Sequence, residues 1–203
     1  MTIVNGKVID VPNQHNIIIV DDFLSTRQCE WMIEEAIEMD CWEADNDPFW
    51  DSKSFNPETV QAWSKYYSNL MIKATQDVSD IIQDREHIRV YADCTTVNRW
   101  HPDSFQPPHC DNMSEWPEHA PNHKHRLYGS IIYLNDNFDG GCTYYPNFNI
   151  EIVPRTGSLV IHPGDINHLH GVSTVKDSTR YTMSSFWTNT EDKINRFIHK
   201  EEL

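Results

Sequence analysis

Apolar and polar positions alternate along this chain in two regimes, helical first and strand-like after. Ile17-Ile18-Ile19-Val20 behind Asn16 reads as a short strand, and Ser25 follows Asp21-Asp22-Phe23-Leu24 where a helix N-cap is needed, with Gln28 at the capping-box position. Cys29, Met32, Ile33, Ala36 and Ile37 then recur at helical spacing, which predicts one apolar stripe over about three turns. Asn56-Pro57 predicts a second helix, because Asn caps and Pro is tolerated in a first turn. Its expected course runs to about Gln83, with Val60, Trp63, Tyr67, Leu70, Met71, Ala74, Val78 and Ile81 facing inward.

From Ile88 the pattern changes to short, β-rich pieces: 89–100, 127–135, 143–145, 149–153, 158–162 and 180–188. Turn chemistry separates them at Asp139-Gly140-Gly141, Pro154-Arg155-Thr156-Gly157 and Pro163-Gly164-Asp165. Helices that precede a string of antiparallel strands predict an α+β fold, a double-sheet β-roll of the jelly-roll kind with the helices packed on one sheet. One domain over 1–203 is expected, with helical support over about 25–83 and a β-roll core over about 88–188. The longest irregular stretch, 112–126, holds Trp116, Pro117, Pro121 and three histidines, and its length makes it a candidate lid. The charged tail after Thr190 is expected to be a loosely held helix.

Composition narrows the partners. A chain of 203 residues with 31 acidic against 16 basic side chains, net -15, repels polyanions, so duplex nucleic acid is not an expected partner. Cysteines 29, 41, 94, 110 and 142 form no CxxC pair and no dense framework, which suits a reducing cytosol. The opening MTIVNGKVIDVPNQ has no basic region leading into an apolar run, and no stretch approaches the roughly 18 apolar residues of a membrane span. A soluble, cytoplasmic protein that keeps off membranes is the expectation.

His109-Cys110-Asp111 puts two ligand side chains on one face of an extended strand, since strand side chains alternate. Two imidazoles and one carboxylate on one face of an octahedral ion form the facial triad of iron(II) oxygenases, with open positions for co-substrate and dioxygen. A third ligand must come from elsewhere, and either His168 or His170 is at hand. His101-Pro102-Asp103 is a rival pair, though Pro102 and the Asp-Ser step after it favour a turn. His119, His123 and His125 read as solvated loop residues. Arg180 lies ten residues after His170 in an otherwise apolar, β-prone segment, and that interval favours His170 over His168. A buried guanidinium needs an anion: its planar fork matches a carboxylate in two charge-assisted bonds, either from a dicarboxylate co-substrate or from an internal salt bridge.

Together these residues resemble the 2-oxoglutarate- and iron(II)-dependent dioxygenases, in their prolyl 4-hydroxylase-like branch. The likeness follows the family's order through Ile18-Ile19-Val20-Asp21-Asp22-Phe23-Leu24-Ser25, Pro107-Pro108-His109-Cys110-Asp111 and Arg126 to Asn135, ending Tyr133-Leu134-Asn135. It continues through Gly140-Gly141-Cys142-Thr143, Pro154 to Leu159, His170-Gly171-Val172, Arg180 and Phe186-Trp187. The resemblance implies a double-stranded β-helix with His109, Asp111 and His170 on iron(II), Arg180 on the distal carboxylate of 2-oxoglutarate and Tyr133 as its hydroxyl partner. Trp100 stands where relatives often carry a tyrosine that reaches the co-substrate, and its indole can donate one hydrogen bond. Cys142 replaces a common acidic residue, and Gly129 a frequent threonine. The implied reaction consumes dioxygen and 2-oxoglutarate, releases succinate and carbon dioxide, and hydroxylates an unactivated C–H bond of a prolyl or other peptidyl or amino-acid residue, with ascorbate admitted as reductant. Peptide, protein and small-molecule substrates all remain open. Two other classes compete: a zinc hydrolase on the same His/Asp/His set, which leaves Arg180 and Tyr133 without purpose, and a non-catalytic β-roll binding module.

Overall fold

The computed structural model describes residues 8–10, 15–45, 48–113 and 123–200. The first half runs β1 (Val8–Asp10), β2 (Ile18–Val20), α1 (Thr26–Met39), β3 (Ser54–Phe55), α2 (Pro57–Gln61) and α3 (Lys65–Glu86). The second half is strands: β4 (Tyr91–Trp100), β5 (Gln106–His109), β6 (Tyr128–Tyr133), β7 (Asp139–Gly140), β8 (Thr143–Tyr145) and β9 (Ile150–Ile152). It ends with β10 (Leu159–Pro163), β11 (His170–Val172), β12 (Val175–Lys176) and β13 (Arg180–Thr188).

Local chemistry starts α1 as its sequence predicts. The Ser25 hydroxyl accepts from Gln28 N, and Gln28 Oε1 accepts from Ser25 N, so two otherwise orphaned donors are satisfied reciprocally. Cys29, Met32 and Ala36 are buried from this helix, whereas Ile37 at the stripe's edge is exposed. The helix expected over 56–83 is two helices. Asn56 caps α2 by accepting from Glu58 N and Thr59 N, but the chain restarts at Ser64, whose hydroxyl accepts from Tyr67 N and begins α3. That break turns Trp63 out to 64% exposure, and the phase it resets buries Ile82 in preference to Ile81.

The strands form a seven-stranded antiparallel sheet in the order β1-β2-β10-β6-β13-β4-β3 and a four-stranded sheet, β5-β11-β8-β9, with β12 and β7 paired apart. This is the double-stranded β-helix arrangement. Period-two alternation splits the core into two layers. Ile132, Leu159, Ile161, Met183 and Trp187 project from the larger sheet onto α1 and α3, joining Met32, Tyr67, Met71 and Val78. On the sheet's other face Tyr133 and Val160 meet Tyr145 and Ile152 of the smaller sheet. The β13 pattern shows the consequence for chemistry: Met183 and Trp187 serve the helix layer, so Arg180 and Thr182 point into the roll, where a cavity opens.

Five short strands escaped the sequence pattern, β1, β3, β7, β11 and β12, and β7 lies in a segment expected to be a turn. The tail also differs from expectation. It is a 3₁₀ turn at Glu191–Lys193 followed by turns, and it is held firmly: Ile194 and Ile198 are buried, and His199 Nε2 accepts from Ala92 N at 2.9 Å. No helix among the described residues is long and apolar enough to cross a membrane.

Candidate active site

Antiparallel pairing of β11 with β5 sets His170 directly opposite His109. The strand stops at His109, so Asp111 lies in the turn beyond it and not on the strand itself; Asn112 N bonds to Gly164 O and fixes that turn. The carboxylate nevertheless returns to the same side. Ligand atoms of His109, Asp111 and His170 all lie within 4.8 Å of one another, and His170 Nε2 stands 3.6 Å from Asp111 Oδ1.

Hydrogen bonds select the tautomers. His109 Nδ1 faces Pro107 O at 3.1 Å and His170 Nδ1 faces His168 O at 3.0 Å. A carbonyl can only accept, so each Nδ1 carries the proton and each Nε2 keeps its lone pair, the state a metal ligand needs. Burial pushes His170 down to about 3, so its ring is neutral. Asp111 Oδ2 is buried with no hydrogen-bond partner.

The competing histidines are otherwise engaged. His168 spends both ring nitrogens, Nδ1 on Asp165 Oδ1 and Nε2 on His15 O, each at 2.8 Å. His101 and Asp103 are exposed in a turn, with Asp103 at φ 71° and its N–H bonded to Val175 O.

Arg180 is 1% exposed, and its Nε and Nη2 have no hydrogen-bond partner. Its guanidinium carbon lies 5.3 Å from the Tyr133 ring centroid and 5.4 Å from that of Trp100, its cross-strand neighbour. Burial lowers its pKa, opposed by Tyr133 and Cys142, so no carboxylate is among the groups acting on it. Cys142 is itself raised by burial and by Glu151, and it remains a neutral thiol there. Trp100 Nε1 is a second buried donor without a partner, while Tyr133 hydroxyl shares a 2.7 Å hydrogen bond with Thr143 Oγ1. The donor-rich, anion-poor pocket fits a carboxylate, and the paired imidazole lone pairs beside Asp111 fit a divalent ion.

Gly129 explains one departure from the family pattern. A Cβ there would stand 2.1 Å from Asp111 Oδ2 and about 3.0 Å from the His162 ring, so no side chain fits. His162 is the residue that the sequence reading missed. It pairs with Gly129 across β10 and β6, is fully buried, and stacks edge-on to His170 at 4.2 Å between centroids. Alternation from Val160, an inward residue, would have pointed to it.

One cavity of about 520 Å³ takes in His109, Asp111, His170, Trp100 and Arg180, with Thr96, Asn98, Ser184 and Phe186 on its walls. Residues 114–122 of the expected lid, including Trp116 and His119, lie outside the described residues. Its far end corrects one expectation: His123 and His125 are half-buried, His123 lines the cavity, and His125 is bonded to Asp93.

Residues 95–188 match the 2OG-Fe(II) oxygenase superfamily. The chain is 29% identical over 113 residues to human prolyl 3-hydroxylase 3, a match covering 50% of this chain and 15% of that protein. It spans less than a third of the length of the curated relatives it matches. Among solved structures, a viral collagen prolyl hydroxylase from Paramecium bursaria Chlorella virus-1, in complex with 2-oxoglutarate, aligns with TM-score 0.64 and 17% identity, covering 90% of this chain and 100% of that one. A Trichoplax adhaerens prolyl hydroxylase bound to a peptide fragment of the hypoxia inducible factor oxygen degradation domain aligns with TM-score 0.66 and 17% identity, covering 89% and 86%.

Proposed function

With a 2-oxoglutarate- and iron(II)-dependent oxygenase domain of prolyl 4-hydroxylase-like fold as the premise, we propose that the chain hydroxylates an unactivated C–H bond of a peptidyl or amino-acid residue, proline foremost. His109, Asp111 and His170 would hold iron(II), and Arg180 would hold the far carboxylate of 2-oxoglutarate. When bound, these groups supply the oxidation: dioxygen and 2-oxoglutarate are consumed, succinate and carbon dioxide leave, and a substrate C–H becomes C–OH.

The chain's own residues arrange this. Pro107 O and His168 O fix the two imidazoles with Nε2 free. Arg180 presents Nε and Nη2 as a fork toward a carboxylate, and Trp100 Nε1 adds a third donor. Thr143 orients the Tyr133 hydroxyl beside that fork. Trp50 and Trp100 wall the cavity and limit water, with Phe49 packed edge-on against both. The observation that carries the reading is the buried, partnerless Arg180 fork on the same cavity as the triad; a zinc hydrolase gives it no task. A peptide substrate is supported by the prolyl hydroxylase names of the relatives and by the peptide in the Trichoplax structure. Five free cysteines support a reducing compartment, and the helix layer shared with the larger sheet supports a single working domain.

The test combines iron(II) and 2-oxoglutarate under anaerobic conditions, then admits dioxygen, with ascorbate and a mixture of prolyl peptides and amino acids present. A visible charge-transfer band, succinate formation and a gain of one oxygen atom on a peptide are expected. Absence of both band and succinate overturns the reading, and oxygen gained only by a free amino acid moves the substrate.

A further inference from the structure

Strand β4 contains a bulge that aims an acid at the loop beside the cavity. Its register with β13 runs Phe186 to Cys94 and then Trp187 to Ala92, so Asp93 is the extra residue. Ala92 is packed in the helix layer, and Thr95 bonds Thr75 of α3, so both face the helices. The bulge therefore turns Asp93 and Cys94 together to the opposite side.

Asp93 has a side chain only 8% exposed. Oδ2 takes His125 Nε2 at 2.7 Å and Arg126 Nε at 2.9 Å, while Oδ1 is buried with no partner. His123 completes a cluster in which one ligand atom from each of Asp93, His123 and His125 lies within 4.8 Å of the others. The segment is anchored there, because Leu127 N bonds Trp187 O at the bulge, at 2.7 Å.

We propose that Asp93, His123 and His125 form a second metal site, which takes a zinc-class divalent ion and ties residues 123–126 to β4 at the cavity wall. Two imidazoles and a carboxylate are a zinc ligand set that leaves the fourth position to water. An ion on Oδ1 satisfies an oxygen whose burial is otherwise uncompensated. Arg126 does not block this: it occupies Oδ2, and its guanidinium carbon is held 3.8 Å from the centroid of the Phe186 ring, so it acts as the outer partner of the ligating carboxylate. His125 exchanges its bond to Oδ2 for the ion. Because His123 and Arg126 line the cavity, filling this site stiffens the wall against which a substrate rests.

The site does not depend on the reading of the first one, and the test keeps them apart. Metal-free protein is saturated with zinc, passed through a desalting column and its bound ion counted. Two ions per chain are expected in the wild type, one in His125→Gln, one in His170→Ala and none in the combination. Cobalt(II) in place of zinc on His170→Ala should give the intense visible bands of a four-coordinate site, and His125→Gln should remove them. If circular dichroism shows that His125→Gln has lost its fold, His123→Gln decides instead, since it leaves the Asp93 bonds to His125 and Arg126 intact. The proposal is overturned by a His170→Ala chain that binds no ion, or by an ion in that chain that survives the His125 and His123 substitutions.

Discussion

Arg180 and Asp111 bring orphaned polar atoms into one cavity, and each can be tested by a substitution that leaves its neighbours in place. Arg180→Met removes the fork at similar length, whereas Arg180→Lys keeps a charge and loses the planar pair of donors. Charge-assisted hydrogen bonds contribute roughly 1.5–3 kcal/mol each, and about 1.4 kcal/mol is a decade of affinity, so Met should weaken 2-oxoglutarate binding more than tenfold and Lys less. Isothermal titration into anaerobic, iron-loaded protein reads this, with iron content unchanged; equal affinities would remove Arg180 from the co-substrate site. Gly129→Ala tests Asp111 from behind: the new Cβ, 2.1 Å from Oδ2, must displace the carboxylate and should lower iron affinity on the order of 10–100-fold. Full iron occupancy at limiting metal would refute this. Much of the candidate site was legible because its signals are local. His109 and Asp111 stand only two residues apart, and Arg180 is a lone cation in an apolar run. Parity could not separate His168 from His170, since they stand two residues apart; the 3₁₀ turn that holds His168 and the bonds that saturate it do. His162 was illegible because its space exists only through the facing Gly129, a cross-strand relation no local window contains.

Elements were read best where one periodicity runs unbroken. Strand β13 occupies the expected 180–188, and α1 begins at the expected cap. The break between α2 and α3 was hidden because apolar residues continue in phase through Val60, Trp63 and Tyr67, so pattern outweighed the capping signal of Ser64. That hydroxyl is the local reason α3 starts where it does. Ser64→Ala should therefore cost about 1 kcal/mol, the usual worth of an N-cap, without changing the denaturant slope. Urea unfolding measures it, and a cost near zero would mean that packing of Tyr67 and Met71 alone sets the helix start. The two-residue strands β7 and β12 were beyond reach for another reason: two residues have no period, and their pairing is made by register, Val175 with Gly140 and Lys176 with Asp139. The tail was misread because its charges suggested solvent, while Ile194, Ile198 and His199 dock it on the start of β4.

Across the whole molecule, the order of helices before strands was enough to foresee two layers, but which strands neighbour each other was not. Strand β2 pairs with β10 and β6 lies between β10 and β13, contacts set by distant segments whose apolar faces match only after folding. The helix layer that results is buried, and its ionisable groups make stability depend on alkaline pH. Cys29 of α1 is pushed from 9.0 up to about 12, first by burial and then by Glu30, and Tyr67 of α3 is held well above its ordinary 10.0 by burial, its hydroxyl donating to Met32 O at 3.0 Å. Both folded values are raised, so the folded chain keeps protons that the unfolded chain releases. Their stabilisation is complete below pH 9 for Cys29, then falls as pH climbs through the interval from 9.0 to about 12. One such group costs about 1.4 kcal/mol for each pH unit inside its window. The net charge of -15 adds repulsion over the same range, so the wild-type slope alone is not diagnostic. Cys29→Ala separates the two: it lowers stability at pH 8 by lost packing but removes the thiol's titration. Urea midpoints at pH 8, 9.5 and 10.5 on metal-free protein should fall more steeply for wild type than for Cys29→Ala, whereas parallel lines would assign the alkaline loss to repulsion and leave the buried thiol without a part in it.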